Sequence, residues 1–419
     1  MRDIVITVFI FGLIPLVLKR PWVGVLMWLW VSVMNPQRYA FGFANSFPFA
    51  ALIALVTLVS MLKNREQVHF PINATTVLFM LFPLWMCVTY VFSLEPGAGF
   101  ERWKTVMKIF FFILVSASLI HTRKQIELLI WVIVLSVGFY GVKGGIFTIL
   151  TGGAHRIYGP PGSGFMSDNN AISAALVMVI PLMYFLRTVV EPKWMKLGLW
   201  AAMGLSAMAV LGSQSRGAFL AVVVMLGFLW LKSRKKMVLG TLLALSVPVA
   251  IGFMPETWTA RMESIQNYKQ DGSAMGRINA WTMAFNVAND RPLVGGGFEL
   301  YNARTFAKYA PDPLAVHSAH SIYFQILGEH GYVGLALFLA IGLNAWLRAR
   351  RLIKLSKTNP EDAWAGHLAS AIQVSLLGYA VGGAFINIGY WEIQYYEIIA
   401  LMAASGLVIP IVSKPSHAV

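Results

Sequence analysis

HSAHSIYFQILGEHGYVGLALFLAIGLNAWL, residues 317–347, is polar where it begins and apolar from 321 onward. As a helix, the run from 321 to 347 is long enough to cross a hydrocarbon layer of ~30 Å. Arg348, Arg350, Arg351, Lys354 and Lys357 follow at once and mark a membrane boundary. Working outward, apolar segments recur at 3–18, 21–35, 47–63, 74–93, 105–120, 126–150, 170–186, 197–213, 217–231, 237–253, 364–385 and 394–413. The expected fold is an all-α polytopic membrane protein of about 12 to 13 transmembrane helices, the first two short for full spans. Composition agrees: 58% hydrophobic residues, 12% charged and a mean hydropathy of +0.66 exclude an ordinary soluble enzyme.

The net charge of +15 over 419 residues does not call for a nucleic acid, because most of the excess lies in short turns between apolar segments. Lys19/Arg20, Lys63/Arg65, Arg123/Lys124, Arg187/Lys193/Lys196, Lys232/Arg234/Lys235/Lys236 and the 348–357 group alternate as cytoplasmic turns should. The segment before Lys19 has no small-residue cleavage site and reads as a retained span. Residues 254–320 form the one long polar connection, which the alternation puts outside, and a loop of that length in a compact fold is more often functional than idle. Within it, 276–289 has helical periodicity and RPLVGGGFELY reads as a tight turn leading into a second short helix. The expected division is N-terminal membrane helices over 1–253, a periplasmic loop with short helices over 254–320, and C-terminal membrane helices with a short cytoplasmic tail over 321–419. Cys87 is the only cysteine, so no intrachain disulfide or cysteine-based metal site is available.

His317 and His320 stand where that loop re-enters the membrane. On a helix beginning near His320, Phe324, Leu327, Gly331 and Gly334 share its stripe, and the glycines would turn that face into the bundle. A histidine so placed can accept a proton near neutral pH; the alternative is an interfacial histidine bonded to loop backbone. In GSQSRGAFL, residues 212–220, Arg216 occupies a short turn on the same side, where an arginine is costly unless paired or wetted. The alternative is a side chain snorkelling to the headgroups. Arg102, Lys104, Lys143, Arg156 and Arg277 collect on that side too, against the positive-inside rule, and such a cluster suits an anionic ligand with phosphate oxygens.

The sequence has no Asp-x-Asp pair, no His-Glu-x-x-His, no Walker-type loop and no Gly-x-Ser-x-Gly, which disfavours metal-assisted sugar-nucleotide transfer, metalloproteolysis, ATP hydrolysis and serine hydrolysis of the common kinds. The apolar segments hold very few acids, which weighs against a transporter built on buried carboxylates.

Four short motifs, taken in order, resemble the O-antigen ligase family of membrane glycosyltransferases. They are Arg156, Gly159 and Asn170; Ser215, Arg216 and Gly217; Gly276, Arg277 and Trp281 with Pro292, Gly295 and Gly297; and His320 with Glu329, Gly331 and Gly334. Ser321 departs from the asparagine common there, and His317 lies close enough to compete with His320. The resemblance implies a GT-C-like enzyme in the bacterial inner membrane, its site facing the periplasm. It would move a polysaccharide from undecaprenyl diphosphate to a lipid A-core hydroxyl, without metal or cofactor and with inversion. His320 would be the base and Arg216 and Arg277 would hold the diphosphate; Arg156, Asn170, Arg102, Lys104, Lys143 and His317 would bind substrate. Similar signatures occur in O-antigen polymerases, protein O-oligosaccharyltransferases and exosortase-associated O-glycosylation ligases, so the acceptor stays open. A lipid-linked glycan transporter is the rival of another class.

Overall fold

The structure, a computed structural model, describes residues 1–160, 166–233, 235–263 and 272–408. Arg234 of the basic turns, and part of the stretch between Gly159 and Asn170, lie outside the described residues. The helices are α1 (Arg2–Lys19), α2 (Pro21–Met34), α3 (Phe49–Lys63), α4 (Ala74–Val91), α5 (Pro96–Ala117), α6 (Arg123–Leu150), α7 (Asn169–Val189) and α8 (Lys193–Gly212). They continue with α9 (Arg216–Lys232), α10 (Lys236–Gly252), α11 (Glu256–Glu263), α12 (Gly272–Asp290), α13 (Ala303–Tyr309), α14 (Ile322–Leu355), α15 (Ala363–Gly382) and α16 (Glu392–Val408). Among the described residues there is no strand, and the protein is an all-α membrane protein.

Among the described residues, six helical stretches are long and apolar enough to cross a membrane: α4, α6, α7, α8, α14 and the stretch from Pro360 to Phe385 that contains α15. α2, α3 and α10 are apolar but shorter. Starts are set by local chemistry. Asn73 opens α4 and Thr122 opens α6 with reciprocal side-chain caps, and Asp168 caps α7 by accepting from the amides of Asn170 and Ala171. α5 begins well before the apolar run at 105, because Pro96 sits at its first position and the polar FERWKT stretch continues as helix. α6 and α8 approach closely, and a methyl added at Gly145 would lie 2.1 Å from the Leu205 carbonyl oxygen.

α16 is the most enclosed element. Every residue from Glu392 to Met402 is buried, and the helix packs on α5, α6, α14 and α15. Three of its polar side chains make hydrogen bonds inside the bundle: Ser375 donates to Glu397 at 2.7 Å, Gln394 donates to the Tyr379 hydroxyl at 3.1 Å, and Ser32 donates to Glu392. With Glu329 of α14, Glu392 and Glu397 make three buried carboxyl side chains.

α14 is two helices joined at Gly331, whose φ of 67° and ψ of −170° are non-helical. The single stripe expected from His320 through Gly334 is therefore not present: the helix starts at Ile322, beyond His320, and its phase is broken at Gly331. The break is sealed by the turn at 292–297. Gly296 and Gly297 donate to the carbonyls of Gly328 and Glu329 at 2.7 and 2.9 Å, and Tyr332 donates to that of Pro292 at 2.8 Å. Those bonds replace the ones the helix gives up, as an interrupted span requires. Only glycine fits either side, since a Cβ at Gly295 would meet the Gly328 oxygen at 2.5 Å and one at Gly331 the Leu293 oxygen at 2.4 Å.

Candidate functional site

The site lies at the end of the bundle where α12 packs against α14 and α13. Arg216, the first residue of α9, and Arg277, in the first turns of α12, line one cavity of about 260 Å³ with Leu220, Ile278, Trp281 and Phe385. Both arginines are half-buried, on two elements far apart in sequence. Guanidinium groups with apolar walls favour an anion carrying an apolar tail, because each head presents only donors and the walls reduce competition from water.

Ser215 positions Arg216. As the cap of α9, its hydroxyl oxygen accepts from the Ala218 amide, and the same hydroxyl donates to Asn170 Oδ1 at 2.8 Å. Gln214 precedes it with a φ of 55° and donates to the Gly153 carbonyl, while Arg156 Nε donates to Gln214 Oε1 at 3.1 Å. Arg156 and Asn170 thus brace the turn that carries Arg216.

His320 is half-buried and outside the helix, with a φ of 42°. A left-handed histidine needs enforcement from both sides. Trp281 Nε1 donates to the Ala319 carbonyl at 2.6 Å and stacks on Phe324, with ring centroids 5.1 Å apart. On the other side the Ser321 amide donates to Asn387 Oδ1 at 3.1 Å. Burial, and then the charge of Arg277, hold His320 below the ordinary histidine value; Asp168 acts in the opposite sense and His317 adds to the lowering. The ring therefore favours its neutral, proton-accepting form. His317 is exposed, and its imidazole covers Gly276, where a Cβ would lie 2.4 Å from Cδ2. That contact explains the glycine before Arg277.

The remaining cations are dispersed. The Arg102 guanidinium carbon lies 5.9 Å from the Tyr390 ring, within electrostatic reach of Glu329. Glu329 accepts from the Tyr390 hydroxyl, and His330 sits between that hydroxyl at 2.6 Å and Thr89 Oγ1 at 2.7 Å. Lys104 pairs with Glu101 on its own helix at 2.7 Å, and Lys143 lies at an apolar hollow beside Trp131 and Met183. Neither lysine lines the arginine cavity, so the single cationic cluster inferred from sidedness resolves into separate environments. Among the described residues no group of histidines, cysteines and acids could hold a metal ion. Asp168, Phe385 and Asn387 were not singled out from sequence; the polar and aromatic interruption NIGYWE at 387–392, between two apolar segments, was the available signal.

One family model, described as O-Antigen ligase, matches residues 201–339, and another, described as a family of unknown function (DUF5935), matches residues 1–191. No curated protein matches the chain. The first match takes in every residue that lines the arginine cavity except Phe385, and it takes in His320.

Proposed function

The chain belongs, through residues 201–339, to the O-antigen ligase family, and from that premise we propose that it transfers a polysaccharide from undecaprenyl diphosphate to a hydroxyl of a lipid A-core oligosaccharide. The observation that carries this reading is the shared cavity of Arg216 and Arg277, with Trp281 both lining it and fixing the backbone beside His320. The acceptor oxygen attacks the anomeric carbon as the bond from that carbon to the diphosphate oxygen breaks. His320 takes the hydroxyl proton, a contribution of about 10²–10⁴ in rate. Undecaprenyl diphosphate leaves with its charge held by the two guanidinium forks. A single displacement inverts the sugar and forms no glycosyl-enzyme. Arg156 and Asn170 act through the α8–α9 turn, and His317 through its neighbours Gly276 and His320.

We place the site on the periplasmic face of the bacterial inner membrane, because the alternation of basic turns along the chain puts the 254–320 connection outside. The GT-C-like arrangement of about twelve crossings adds short or charge-bearing helices such as α2, α3, α5, α9, α10 and α16 to the six long spans. Incubating the purified protein with undecaprenyl-diphosphate-linked polysaccharide and core-terminated lipopolysaccharide tests the reading: a ladder on the lipopolysaccharide supports it. Lipid-linked glycan that is moved between leaflets but never transferred would reject it in favour of a transporter. Transfer only to protein or to a growing glycan would reject the acceptor and keep the reaction.

A further inference from the structure

A second cavity, of about 310 Å³, opens between α2, α5 and the start of α16, and its polar lining comes from Ser32, Asn35, Gln37, Thr105, Lys108 and Glu392. Its chemistry is unlike that of the arginine cavity. Gln37 donates to Asn35 Oδ1 at 3.2 Å, Asn35 donates to the Ser32 carbonyl at 2.8 Å, and Glu392 accepts from Ser32. Gln37 Oε1 is buried and has no hydrogen-bond partner in the protein. A buried carbonyl without a donor costs on the order of 1–3 kcal/mol. An ionised phosphate oxygen cannot relieve that cost, because it carries no hydrogen to donate. A ligand rich in hydroxyls can, since each hydroxyl both donates to Gln37 or Glu392 and accepts from Lys108 or Thr105.

Two chain segments run from this cavity to the other. Along 166–170, Met166 lines the second cavity, Asp168 acts on the charge of His320, and Asn170 accepts from the hydroxyl of Ser215 beside Arg216. Along 385–391, Phe385 lines the arginine cavity, Asn387 holds the residue after His320, and Trp391 lines the second cavity. His320 is thus tied to both segments between the two cavities. We propose that the second cavity seats the hydroxyl-rich glycan of the acceptor and presents it to His320 from the side opposite the donor diphosphate. The assignment rests on the transferase reading above.

The test is calorimetric titration of the full-length protein in detergent with delipidated core oligosaccharide, and separately with inorganic phosphate. The oligosaccharide is expected to bind, Gln37→Leu to weaken it about three- to tenfold, as loss of one neutral hydrogen bond does, and phosphate not to compete. Thr105→Trp changes an exposed lining position, leaves the buried network alone, and fills the space; it is expected to abolish binding and to raise the acceptor KM with donor affinity unchanged. Absence of oligosaccharide binding to the unaltered protein, equal affinity in both variants, or displacement by phosphate overturns the proposal. Oligosaccharide that binds as expected, in a protein that transfers nothing from the lipid-linked donor, would keep this cavity and sink the transferase reading.

Discussion

His320 carries an expected pH signature with two opposed controls. Held below the ordinary value, it keeps its basic form to lower pH than a free imidazole, so the acid limb of kcat/KM should fall below about 6.5. Arg277→Gln removes a charge that lowers it and should move the residual limb to higher pH. Asp168→Asn removes a charge that raises it and should move the limb lower. Shifts in one common direction, or none, would mean that His320 is not the titrating base. A companion set separates binding from proton transfer. His320→Ala should cost about 10²–10⁴ in turnover with donor affinity nearly kept. Arg216→Ala and Arg277→Ala should weaken both, and lysine should rescue them poorly because it lacks the fork. His317→Ala should be milder than His320→Ala; the reverse order would move the role of base to His317. At this scale the sequence singled out Arg216, Arg277 and His320, since an arginine or histidine at a membrane boundary is costly enough to ask for a reason. It was silent on Asn387, because an amide 66 residues further on becomes a partner only once the chain is folded.

The sealed break in α14 makes a sharp prediction for glycine replacement. Gly331→Ala forces a side chain into a backbone region open mainly to glycine and against the Leu293 carbonyl, a cost of about 1–3 kcal/mol from conformation alone. Thermal unfolding of the detergent-solubilised protein should shift down, with loss of transfer in step. Gly342→Ala in the same helix meets nothing within 4 Å and should leave both unchanged. An unshifted midpoint for Gly331→Ala would show that the turn at 292–297 does not hold the break. Hydrophobic runs revealed that helices exist here, including α12 and the turn after it, but not this interruption. Glycines at such spacing serve equally for helix contact and for a non-helical joint. Nor could apolarity reveal that α16 is enclosed by protein, because a side chain that faces lipid and one that faces another helix are equally apolar.

For the whole molecule, sidedness is the premise on which the chemistry depends. Accessibility tags at Ser233 and Thr358 should react only from the cytoplasm and one at Gly272 only from outside; a cytoplasmic Gly272 would undo the assignment. If Arg216 and Arg277 neutralise the diphosphate as proposed, transfer should persist in excess chelator, and activity that is lost with EDTA and restored by a divalent ion would contradict that role. Alternation of charge gives an expected orientation, which those tags test, but not the separation of Lys104 and Lys143 from the arginines, because sidedness says nothing about position around the bundle. The joint at Gly331 also bears on how the protein is made. The carbonyls of Gly328 and Glu329 take their donors from a turn that precedes α14 in the chain, so the ribosome delivers that turn before the helix that needs it. A nascent α14 therefore meets its seal on emergence and does not wait in lipid with bare carbonyls. A circular permutant that moves 254–320 behind α16 reverses the order, and it should yield less folded protein than a permutant cut between α8 and α9.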